Sequence, residues 1–152
     1  MDDNTMNTNP EENPVTNEEE TPVANENQPS VSVSDSILLS VKKLLNLDAE
    51  NKDFDADVLI HINSVFAILQ QLAIGPENGF FIEDETATWT DYLGEDSSHL
   101  NMVKSYMGAK VRMLFDPPVS SAVMDSLNRV CAEFEWRANV AAENKMLEVP
   151  KS

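Results

Sequence analysis

The tripeptide Asp116-Pro117-Pro118 separates two stretches of helical periodicity and limits how this chain can fold. Neither proline carries an N–H, and a proline inside a helix costs about 3 kcal/mol. The residue before each proline is also pushed out of the α region. A helix arriving through Met113, Leu114 and Phe115 must therefore end near Asp116, and Ser120 or Ser121 is placed to cap the next one. These five residues, Asp116, Pro117, Pro118, Ser120 and Ser121, predict a corner. Read alone, such a corner is only a stop between two helices.

The rest of the chain reads as one all-α domain of about four helices. Ser34 or Asp35 offers a cap to a short first helix carrying Ile37, Leu38, Val41, Leu44 and Leu45 at helical spacing. Asp53, Asp55 and Asp57 then crowd the entry to a long second helix, where anions favour the positive end of the dipole. Its apolar face is Val58, Ile62, Val65, Phe66, Leu69 and Leu72, and Gly75-Pro76 should end it. Residues 78–94 lose the helical period. Phe80, Phe81 and Ile82 suggest a small strand there, and Trp89, Tyr92 and Leu93 a short capping turn. A third helix runs from His99 to Phe115 through Leu100, Val103, Met107, Val111 and Leu114, with Tyr106 beside the stripe. The fourth presents Val123, Leu127, Val130, Phe134, Ala138 and Ala141 on one side.

Composition changes sharply before this domain. Residues 1–33 hold four of the eight prolines and eight of the 27 acidic residues, with no Lys, Arg or aromatic residue. Ordering each such residue costs roughly 1–2 kcal/mol with no core to offset it, so an acidic, disordered N-terminal tail is expected. The helical domain is then 34–144, followed by a C-terminal extension, 145–152, beyond the last helix.

Residues 34–152 remain acidic, with 19 Asp and Glu against 10 Lys and Arg, and residues 53–99 contain no Lys or Arg at all. Gripping phosphate needs clustered cations, so sequence-specific nucleic-acid binding is not expected. No apolar run approaches the roughly 20 residues of a membrane span, and no membrane partner is expected.

Catalytic and cofactor signals are equally sparse. The Asp53, Asp55, Asp57 spacing lacks the Gly and Glu that a calcium loop needs, since Val58 and Ser64 stand in those places. His61 and His99 have no ligand partners at helical spacing. Cys131 is single and reads as a small core hydrophobe. No nucleophile elbow, phosphate loop or dinucleotide fingerprint is present. We expect no enzyme, no cofactor, no catalytic residue and no metal ligand.

Two segments carry a resemblance. FDADVLIHINSVFAILQQLAIGPENGF and, after WTDYLG, the stretch VKSYMGAKVRMLFDPPVSSAVMDSLNRVCAEFEWRANV occur in an order and spacing similar to the head-tail connector, or adaptor, proteins of long-tailed bacteriophages. The resemblance runs from about Ser36 to Ala142. It implies a virion neck subunit that forms a ring, normally a dodecamer, beneath the portal protein. Such a ring extends the DNA channel and meets the next neck or tail-completion protein.

Within that frame, Arg112, Arg129, Glu133 and Arg137 are candidates for the subunit interface, the last three forming a polar stripe expected to lie away from the fourth helix's apolar side. Met146, Leu147 and Val149 are candidates for portal docking. An acidic DNA mimic that blocks a nucleic-acid-binding partner is the alternative reading.

Overall fold

A computed structural model describes residues 32, 34–95 and 98–147. Apart from Ser32, the expected tail lies outside the described residues, as does Val149. Five helices follow one another: α1 (Ile37–Leu44), α2 (Asp55–Gln71), α3 (Trp89–Leu93), α4 (Leu100–Phe115) and α5 (Ser121–Leu147). The all-α expectation holds, with one short helix more than the periodicity suggests.

Helix α4 is the centre. It packs on α1, α2 and α5, whereas α5 packs chiefly on α4. The core joins Ile37, Leu38 and Val41 of α1 to Val58, Ile62, Val65, Phe66 and Leu69 of α2 and to Val103, Met107 and Val111 of α4. Such burial of i, i+3, i+4 stripes supplies most helix stability in a small bundle. Leu44 and Leu114, both on the expected stripes, are instead about half exposed, at 48% and 51%.

The helix ends show why several boundaries differ from expectation. α1 is capped by Ser36, whose Oγ accepts from the Leu39 N–H at 3.2 Å, rather than by Ser34 or Asp35. α2 stops at Gln71, short of Gly75-Pro76, because Ala73 turns left-handed at φ 58°. The Ile74 N–H then reaches back to Leu69 O and the Ala73 N–H to Gln70 O, closing the helix with a Schellman pattern.

The expected strand at Phe80, Phe81 and Ile82 does not form. The Asn63 side chain occupies the Ile82 backbone instead, donating from Nδ2 to Ile82 O and accepting from Ile82 N–H at Oδ1, both at 2.9 Å. A single side-chain amide thus satisfies the groups a neighbouring strand would have paired. The only β-bridge among the described residues joins Ser36 and Thr88.

The expected turn at Trp89 is helix α3. A capping box closes its start, with Thr88 Oγ1 accepting from the Asp91 N–H and the Asp91 carboxylate accepting from the Thr88 N–H. Trp89 is anchored below by its indole N–H donating to Ser40 Oγ at 2.9 Å. Tyr92 closes a three-ring cluster with Phe66 and Phe80 at centroid separations of 4.6–5.1 Å. Its hydroxyl donates to Ile74 O.

Candidate assembly surface

The corner is built as its residues dictate. Asp116 leaves helical geometry at φ −139°, ψ 76° while its N–H still donates to Arg112 O at 3.0 Å. Pro117 and Val119 are exposed, and the Ser120 carbonyl accepts the Met124 N–H at 3.0 Å. Ser120 is therefore the capping position and Ser121 the first helical residue.

After the corner, α5 packs on α4 through a contact that mixes apolar and polar side chains. Tyr106 stacks on Phe134 with centroids 4.4 Å apart and planes at 21°. The Tyr106 hydroxyl donates to Glu135 Oε1 at 2.8 Å, and Lys110 Nζ reaches the same oxygen at 2.9 Å. Burial pushes the Glu135 carboxyl up, but the hydrogen bonds from Lys110 and Tyr106 and the Lys110 charge outweigh it, leaving Glu135 below its ordinary range. Burial also raises Tyr106, which stays a neutral donor, and raises the Cys131 thiol, which packs as a core residue.

Cys131 and Phe134 are the only buried side chains of this 27-residue helix. At 1.5 Å per residue α5 is about 40 Å long, against about 24 Å for α4, so much of it has nothing to pack against within the described chain. Val123 and Val130, expected in the core, are 43% and 45% exposed, and Trp136 is 65% exposed. An apolar groove of about 380 Å³ runs between α4 and α5, with Met102, Tyr106, Val130 and Phe134 in its lining.

The candidate interface residues fall in different settings. Glu133 and Arg137 form an ion pair within α5 at 2.7 Å and line this groove beside Val130 and Phe134. Here the expected separation from the apolar side fails, because Arg137 follows Val130 by seven residues and so lies nearly above it. Arg129 is exposed and makes no ion pair among the described residues. Arg112 is half-buried on α4, with a buried Nε that has no hydrogen-bond partner. The structure does not bring the four together.

Residues 145–147, expected to lie beyond the last helix, belong to it. Helix α5 continues through Lys145 to Leu147, since no helix breaker intervenes before Pro150. Met146 and Leu147 are 77% and 83% exposed at its end.

One structural residue escaped the periodicity argument. Lys42 is fully buried, and its Nζ lies 2.6 Å from Asp55 Oδ1, 2.6 Å from Asn51 O and 3.0 Å from Ala49 O. Its position four residues after Leu38, on the apolar face, was the available signal. Asp55 thus serves an internal ammonium. The described residues contain no group of three or more potential ligands that could hold a metal, and no helix long and apolar enough to cross a membrane.

The comparisons with known proteins agree with this architecture. A family model described as phage connector protein matches residues 37–145, spanning all five helices from the start of α1 to the last turn of α5. No curated protein and no solved structure gives a match. With its α4–corner–α5 unit inside the matched region, the chain belongs to the phage connector protein family.

Proposed function

We propose that this protein is a head-tail connector subunit of a tailed phage, assembling as a ring beneath the portal, extending the DNA channel and joining head to tail. The family match over 37–145 carries this reading. The exposed apolar surface of α5 supports it, since a helix this long with two buried side chains leaves a face for another chain. Subunits joined head-to-tail close into rings when the rotation per subunit fits, and a dodecamer is the stoichiometry we assign.

The partners are further copies of the chain, the portal protein and the next neck or tail-completion protein. The role is structural and virion-bound, with no catalysis. Net charge of −17 suits a channel that DNA must traverse without adhering, because like charges repel the phosphate backbone. Imaging of virions, or of portal rings mixed with the full chain, tests the assignment. Density for this chain at the neck is the expected result, and its absence there overturns the reading.

A further inference from the structure

A second apolar groove, of about 550 Å³, lies along the exposed flank of α2, against residues 81–83. Leu59, Ile60, Phe81 and Ile82 give it apolar walls, and Glu83 stands at its edge. Ile60 and Phe81 are exposed by 62% and 68%. On α5, Trp136 projects about 140° around the helix from buried Cys131, at about 100° per residue. Arg129, seven residues earlier, shares that outer stripe.

The two surfaces are complementary in charge as well as shape class. Glu83 and Arg129 each lack an ion-pair partner among the described residues, whereas Glu133, on the next turn from Trp136, is already neutralised by Arg137. Glu85, two residues on, is already met by Lys52 of the same chain at 2.8 Å, whereas Glu83 is left to a cation from outside. Trp and Arg are, with Tyr, the residues enriched where a few side chains dominate an interface.

We infer that the occupant of the α2 groove is a second copy of this chain, with Trp136 inserted between Ile60 and Phe81 and Arg129 facing Glu83. Knob and groove are built from different elements, α5 for the one and α2 with residues 81–83 for the other, so a head-to-tail contact leaves each copy one free knob and one free groove. An isologous pair would use both surfaces on one two-fold axis and stop at a dimer. The inference rests on the self-assembly reading above and names the surfaces it uses.

Cysteine cross-linking of the full chain tests it. In a Cys131→Ala background, Glu83→Cys and Arg129→Cys are introduced together, and the chain is oxidised both in concentrated solution and in assembled particles. A ladder of multimers is expected from the double-cysteine chain, and dimers alone from a mixture of the two single-cysteine chains. Adding Trp136→Asp should weaken the ladder by at least about tenfold, the scale of a buried aromatic anchor. Its native circular dichroism and melting would show that the chain still folds, and Ile60→Asp is the second variant expected to act alike.

No ladder in either setting, or ladders undiminished by both substitutions, overturns the assigned contact. Neck density without a ladder would leave the connector reading intact and remove only this interface. A ladder without neck density would do the reverse.

Discussion

Lys42 and Asp55 meet 2.6 Å apart with the lysine side chain wholly removed from solvent and the aspartate side chain 15% exposed. The ammonium also ties down the carbonyls of Ala49 and Asn51, so one cation organises the whole α1–α2 connection. Lys42→Met keeps the length of the stem but strands the carboxylate and both carbonyls. We predict a loss of about 3–5 kcal/mol, read as a lower urea midpoint, as for other buried pairs broken on one side.

Phe134 is the largest side chain by which α5 is buried on α4. Phe134→Ala should cost about 3 kcal/mol through the lost ring and the cavity beside Tyr106. Amide hydrogen exchange should rise chiefly along α5, while α1 and α2 keep their protection, because α5 packs chiefly on α4 rather than on them.

Glu135 supplies a pH dependence with a definite sign. Its folded-state value lies below the ordinary 4.5, so its contribution is present above that value and is lost as pH falls through the lowered one. Other carboxylates titrate in the same window, among them Asp91, held down by its Thr88 hydrogen bonds. The measurement is therefore the stability difference between wild type and Glu135→Gln. It should be constant from neutral pH down to about 5 and shrink below that.

The corner prolines are a test of geometry rather than of folding. Pro117→Ala with Pro118→Ala frees the chain to continue helically from Phe115 toward Ser121 and relaxes the angle between α4 and α5. Each proline also restricts the unfolded chain by about 0.4–1 kcal/mol, so the melting shift should be small. Helical circular dichroism should persist while neck occupancy falls. A variant with full copy number at the neck would reduce the prolines to a helix stop.

Removal of the chain after Asn144 deletes Met146 and Leu147, the exposed end of α5. We expect the helical domain to melt as before and portal binding to be lost in a pull-down with portal rings. Binding at wild-type strength would exclude these two residues as the docking element.

Arg129→Glu and Arg137→Glu should differ in effect. Arg137 is engaged by Glu133 on its own helix, an exposed pair worth about 0–1 kcal/mol, whereas Arg129 is unpaired. Assembly, measured by particle copy number, should therefore respond mainly to Arg129.

Local chemistry in the sequence determined the helices, their approximate limits and the corner, because apolar period, proline sterics and capping act over a few residues. The apolar stripes of α2 and α4 were legible for that reason, as was the family through the order of its segments. Only tertiary structure decided where those stripes end in solvent. Val123 and Val130 match Phe134 in period, yet α4 covers only Phe134 well, since packing depends on where two helices cross rather than on either period. The replacement of a strand by Asn63, the burial of Lys42 against Asp55, and the exposure of Trp136 and Phe81 arise in the same way. Each joins residues distant in sequence, and no local pattern records which of them the folded chain brings together or leaves exposed.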